Sequence, residues 1–221
     1  MKPFSLLIAL FALLFTACET TSSTADSVTD SVTEGTEEVA NTAQQAISDV
    51  ASAASDMMKG ENYEVKVLDD KIKSPRKELS GEINGVPIMI NYGSPAVNDR
   101  VIYGDLVPYE QVWRTGANEA TRITFKEDVK VGTEGTTLAA GTYSLFTLPA
   151  NKEKWTIIFN KVDIQWGAYD YDAASDAARV SGVAAEASEK AERFDFVLTN
   201  NEVRFMWDDM MISFPVEAAA K

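Results

Sequence analysis

Histidine is absent from the 221 residues, and cysteine occurs once. Without an imidazole, Ser-His-Asp and Cys-His nucleophilic catalysis are excluded, as are zinc sites that depend on histidine or on paired cysteines. Acid-base chemistry is left to Asp, Glu, Lys and Tyr. Positive charge is scarce: 20 Lys and Arg stand against 34 Asp and Glu, a formal net charge of -14. A surface of that sign repels phosphate backbones, which removes the main source of affinity for nucleic acid. Apolar residues are not lacking. At 45% hydrophobic and 10% aromatic, the chain can fill one core of ordinary size.

The apolar run at residues 6–15 is too short to span a bilayer. It follows a basic start, Met1-Lys2, and ends in Phe15-Thr16-Ala17-Cys18. That pattern reads as a lipoprotein signal peptide over residues 1–17, cut before a cysteine whose thiol carries acyl chains of the palmitate type. The alternative is an ordinary secretory signal whose cysteine merely follows small residues. Each buried methylene contributes ~0.8 kcal/mol, so two or more chains hold a protein to a membrane. The expected partner of Cys18 is therefore a membrane, and the expected location the cell envelope. Glu19 is not the Asp that retains some lipoproteins in the inner membrane, which favours the outer one. With Cys18 acylated, no disulfide can staple the fold.

Aromatic residues are missing altogether from residues 19–62, where Ser, Thr, Ala and acids dominate. This stretch, 18–62 with its cysteine, reads as a tether. Residues 19–62 carry nine acids and one base, net -8, against 25 acids and 18 bases, net -7, in residues 63–221. The repeats Asp26-Ser-Val-Thr and Asp30-Ser-Val-Thr cannot bury enough apolar surface to offset ordering entropy, so disorder is expected there. Between residues 37 and 58, Val39, Ala43, Ile47, Val50, Ala54 and Met57 fall at helical spacing. They predict an amphipathic helix that is mostly alanine, a spacer more than a docking surface.

From Tyr63 onward the pattern is β: short segments of alternating polarity, punctuated by turns. The expected strands are 63–68, 78–83, 86–92, 121–125, 141–148, 155–160, 191–199, 202–207 and 210–216. Asn84-Gly85, Gly93-Ser94-Pro95, 132–135, 149–152 and Asn200-Asn201 supply the breaks. Asp208-Asp209 is read as a second hairpin turn in a C-terminal meander, and residues 184–191 as a loop with a helical turn. Nine short strands need two packed sheets or a barrel. The fold class is all-β, an antiparallel β-sandwich of about nine strands over residues 63–221.

Three blocks stand out from this generic pattern. They are Tyr103-Gly-Asp-Leu-Val-Pro-Tyr-Glu-Gln-Val-Trp-Arg-Thr-Gly-Ala-Asn-Glu-Ala-Thr121, Ala140-Gly-Thr-Tyr-Ser-Leu-Phe-Thr-Leu-Pro149, and Trp155-Thr-Ile-Ile-Phe-Asn-Lys161 with Gln165-Trp-Gly-Ala-Tyr169. Over residues 74–216 the chain resembles the bacterial domain of unknown function 2911, a family of secreted or lipid-anchored proteins of the Bacteroidetes type. The resemblance implies an all-β domain and an exported location. It implies no reaction, because that family has no established activity.

Chemistry must then be read from residue types. Within Trp113-Arg114-Thr115-Gly116-Ala117-Asn118-Glu119 a guanidinium fork, an amide and a carboxylate flank a turn, a set suited to a carboxylate or a sugar. Trp166 and Tyr169 would add a stacking surface. The candidate ligand-binding residues are thus Trp113, Arg114, Asn118, Glu119, Trp166 and Tyr169. The competing reading is structural: Arg114 pairs with Glu119, Asn118 caps a turn and the Trp rings are core. Asp170, Asp172 and Asp176 sit at alternating spacing but lack the Gly and closing Glu of an EF-hand, and read as a solvated turn. No catalytic residue, metal ligand or cofactor is assigned. The favoured function is a membrane-anchored envelope module that binds a small molecule or glycan without catalysis. A structural or protein-partner lipoprotein is the alternative, and a carboxylate-dependent hydrolase the weaker one. Arg114 and Asn118 discriminate the first two: buried and fully bonded to backbone favours structure, while lining a concavity with an aromatic wall favours a ligand.

Overall fold

The computed structural model describes residues 62–219. The signal segment, Cys18 and the expected helix at 37–58 lie outside the described residues. Ten strands follow one another: β1 (Tyr63–Asp69), β2 (Arg76–Ile83), β3 (Val86–Gly93), β4 (Thr121–Phe125), β5 (Val129–Val131), β6 (Thr136–Leu138), β7 (Gly141–Pro149), β8 (Lys154–Asn160), β9 (Asp176–Leu198) and β10 (Glu202–Ala218). One 3-10 turn spans Ala173–Ser175, and there is no α-helix among the described residues. Every strand pair is antiparallel, in a single sheet ordered β1-β2-β3-β4-β7-β8-β9-β10-β5-β6.

The sheet cannot be flat. β4, β7 and β8 separate β3 from β9 in the order, which at about 4.8 Å per strand would put them roughly 19 Å apart. Yet Tyr92 of β3 meets Phe196 of β9 with ring centroids 5.0 Å apart. The sheet folds over on itself into two packed layers, and β9 is the corner. Residues 176–183 of β9 pair with β8, while its remainder pairs with β10. Past that corner β9 has a free edge. The chain leaving β3 takes it: Phe194 N–H donates to the Pro95 carbonyl at 2.9 Å and Val97 N–H to the Glu192 carbonyl at 2.7 Å. Between the layers lies an aromatic core in which Phe194, Phe196, Phe205 and Trp207 are fully buried.

Two expectations are corrected at this corner. Residues 184–191 are not a loop with a helical turn but part of β9, and the Ala-Glu-Lys composition misleads because backbone pairing with β10 overrides weak helical propensity. Nor does Asp208-Asp209 turn a hairpin. β10 runs straight through it, and the register with β9 slips on both sides of Asp208. Burial shows why: Val203, Phe205 and Trp207 face inward, then Met210, Ile212, Phe214 and Val216 do, so inward parity switches from odd to even across the two aspartates. This is a β-bulge, with Asp208 at φ +50°. The short strands β5 and β6, either side of the turn at 132–135, add to the expected set.

Candidate functional site

β4 pairs with β7 only as far as Leu145, so the far end of β7 has an open edge. Segment 109–114 fills it. Glu110 N–H donates to the Pro149 carbonyl at 2.7 Å, and Trp113 and Thr147 exchange hydrogen bonds at 2.8 and 2.9 Å. The exchange seats the Trp113 ring in the core, stacked on Trp207 at 5.9 Å with planes 13° apart.

Beyond Trp113 the chain makes a tight excursion before β4 begins. Thr115 adopts φ +51° and Asn118 φ +64°, left-handed conformations that Asn tolerates but a β-branched Thr adopts only under constraint. The constraint is visible. The Thr121 hydroxyl donates to the Thr115 carbonyl at 2.6 Å, the Thr115 hydroxyl donates to the Thr147 hydroxyl at 3.3 Å, and Thr121 N–H donates to the Arg114 carbonyl at 3.2 Å. Gly93 permits a close approach of the Ala117 carbonyl that any side chain would block.

The segment after β8 then docks on this excursion. Ala120 N–H donates to the Gln165 carbonyl and Gly167 N–H to the Asn118 carbonyl, both at 3.0 Å, and Glu119 and Trp166 form an isolated β-bridge. The six candidate residues are therefore neighbours along the backbone, but their side chains part. Arg114 and Asn118 line a cleft of about 330 Å³ together with Lys73, Arg100, Trp113 and Trp207. Glu119 turns away to a separate groove and meets Arg76 at 3.5 Å. Trp166 and Tyr169, 59% and 84% exposed, stand outside the cleft lining.

Arg114 does not pair with Glu119. Its guanidinium makes no hydrogen bond or ion pair with any described side chain or carbonyl, and its Nε is buried without a partner. Burial pulls its pKa below the ordinary arginine value, against the opposing influence of the nearby Tyr169 phenol. Trp207 Nε1, in the same cleft lining, is likewise buried and unpartnered. Arg100 is partly occupied, bonding the carbonyls of Ala96 and Val97 at 2.5 and 2.9 Å.

Sequence reasoning missed Lys73, Arg100 and Trp207, which lie far from the loop in the chain; Lys73 reaches the cleft through the pairing of β2 with β3, whose end at Gly93 meets Ala117, while Trp207 comes from β10 in the other layer. Of the aspartates after Tyr169, Asp170 is exposed in a turn and Asp172 is exposed as well, in keeping with a solvated turn, whereas Asp176 is not. Asp172 caps the 3-10 turn through Ala174 N–H, and Asp176, largely buried, accepts from Asn160, Tyr171 and Arg179. No group of acidic residues or cysteine among the described residues is arranged to hold a metal.

No curated protein and no solved structure matches this chain. Residues 74–216, about two thirds of its length, match the family described as "Protein of unknown function (DUF2911)", and the chain belongs to that family.

Proposed function

We propose that the chain is a lipid-anchored envelope protein whose β-sandwich binds a small molecule in the cleft beside Arg114. The observation that carries this reading is the Arg114 guanidinium, half-buried beside the Trp113–Trp207 stack with no hydrogen bond or ion pair to any described residue. A buried donor left unsatisfied costs roughly 1–3 kcal/mol, and a fold that needed Arg114 for structure would have given it an acceptor. A concave site with an aromatic wall and a few convergent polar groups is the usual form of a small-molecule pocket. Strained backbone at Thr115 and Asn118 supports the same reading, since such strain gathers where the fold over-determines a functional loop.

The test uses the mature lipoprotein purified from its own cells, with bound small molecules extracted and compared by mass spectrometry against the Arg114→Ala protein. A compound carried by the parent and lost from the variant is expected. Identical extracts would return the protein to the structural or partner-binding class. The anchor rests on the Phe15-Thr16-Ala17-Cys18 pattern and is tested separately: fatty-acid labelling that persists in Cys18→Ala would refute it.

A further inference from the structure

Charge is sorted unevenly over this molecule. On a chain of formal charge -14, the cleft beside Arg114 is lined by three cationic side chains, Lys73, Arg100 and Arg114, and by no carboxylate. The neighbouring concavities differ. One carries Asp99, Glu192 and Asp208, a second Glu78 and Asp163, a third Glu119 and Asp163. In those grooves positive charge has a local counter-ion, and Arg100, which also lines the first of them, shares its three acids; Lys73 and Arg114 line only the cleft without carboxylates among these four concavities.

The hydrogen-bonding inventory points the same way. The two buried orphans in the lining, Arg114 Nε and Trp207 Nε1, are both pure donors with no acceptor capacity. A neutral polyol would bring donors as well as acceptors, and its donors would meet mainly ammonium and guanidinium groups. An oxyanion brings acceptors only. It also compensates the charge that burial has left unpaired, and hydrogen bonds with both partners ionised are roughly twice as strong as neutral ones.

From these observations we infer that the ligand of the cleft is a small organic oxyanion, a carboxylate or phosphate ester on a compact body, held by Arg114 with Lys73 and Arg100 supplying the surrounding positive field. The inference rests on the reading of the cleft as a ligand site. Size limits the body: at about 30 Å³ per water molecule, the cleft has room for roughly ten waters, the scale of one ring with its acid group. Arg100 is the positioning member, because two of its nitrogens already hold the carbonyls of Ala96 and Val97. The Arg114 guanidinium bonds no described group, and its two terminal nitrogens are free to give.

The experiment measures tryptophan fluorescence and calorimetric binding with the full mature protein, using charged probes and neutral counterparts on the same ring: D-glucuronate and glucose 6-phosphate against glucose, and benzoate against benzamide. The acids are expected to bind at least about tenfold more tightly than their neutral counterparts, and Arg114→Met to remove that preference. Lys73→Gln should weaken the acids several-fold and flatten the dependence of affinity on salt, because an exposed lysine acts through a screened field. Glucuronate and glucose 6-phosphate separate carboxylate from phosphate as the preferred head. Neutral probes binding as well as the acids, with loss in Arg114→Met, would overturn the oxyanion while leaving the ligand site standing. Acids that bind equally to parent, Arg114→Met and Lys73→Gln would place binding elsewhere and overturn the inference. If no acid binds, the inference also fails; a compound that then co-purifies with the parent but not with Arg114→Ala would show that only the ligand class was wrong.

Discussion

The carboxylate of Asp195 accepts from Lys77 Nζ at 2.6 Å and from the Tyr92 hydroxyl at 2.9 Å, tying β2 and β3 of one layer to β9 of the other. Lys77 is 3% exposed, so Asp195→Ala would take an acceptor from an ammonium almost fully withdrawn from water. The expected cost is roughly 3 kcal/mol, below the top of the range for broken buried pairs because Asp195 itself is partly exposed. Calorimetry should show Tm falling on the order of 10 °C. Arg114 is the opposite case. No protein acceptor is lost with it, and Arg114→Met should leave Tm unchanged within about 3 °C or raise it, by the same scaling of Tm with free energy. A large fall would mean that the guanidinium supports the loop, and the ligand reading would lose its main observation. Sequence alone singled out Arg114 but could not distinguish these cases, because whether a guanidinium has a partner is decided by residues remote in the chain. The pairing of Glu119 with Arg76 in place of Arg114 is an instance.

Among the elements, β4 was legible to the residue and β1, β2, β3, β7 and β8 to within two, because each alternates polar and apolar residues between strong turn signals. β9 was legible only over its last third. Its middle, residues 181–193, has no buried side chain and is held by backbone pairing, so alanine, glutamate and lysine there carry no strand signature. β10 was split in two because a bulge and a turn interrupt alternation in the same way. The loop bearing the candidate site was legible as dense polar chemistry, but not the cleft, whose Trp207 and Arg100 arrive through the corner in β9. The close approach of Gly93 to the Ala117 carbonyl gives a test at this scale. In Gly93→Ala a methyl group must displace that carbonyl, and with it the 114–118 excursion. Overpacking of this kind costs about 1–3 kcal/mol, and ligand affinity should fall together with Tm. An alanine protein with unchanged stability and binding would show that the loop does not depend on this contact.

Across the whole molecule, the tyrosines report on the packing between layers. Burial, aided by neighbouring acids, raises the pKa of five of the seven, Tyr63, Tyr92, Tyr103, Tyr143 and Tyr171. Tyr171 is pushed up to about 12, chiefly by burial and then by Asp176, while Tyr92 and Tyr103 rise further. A phenol whose folded pKa exceeds its unfolded value binds more protons in the native state once pH passes about 10, so stability falls as pH rises. That contribution is fully present below pH 10 and, for Tyr171, is lost between about 10 and 12. Ionisation followed at 295 nm should therefore lag in the native protein and then appear together with loss of the β circular dichroism signal. Titration of all seven near pH 10 with the fold intact would contradict the packing of the core. The central claim, that an acidic sandwich keeps the cationic cleft beside Arg114 for an oxyanion, is tested most directly at the indole groups of its four tryptophans. Their N–H resonances can be followed by ¹H–¹⁵N NMR as D-glucuronate is added. Trp155 Nε1 already donates to the Lys152 carbonyl at 3.1 Å and serves as the internal control, whereas Trp207 Nε1 has no partner. The expected result is a saturable shift of the Trp207 resonance with Trp155 unmoved, and its loss in Arg114→Met. A Trp207 resonance that stays in place while glucuronate binds would contradict the claim.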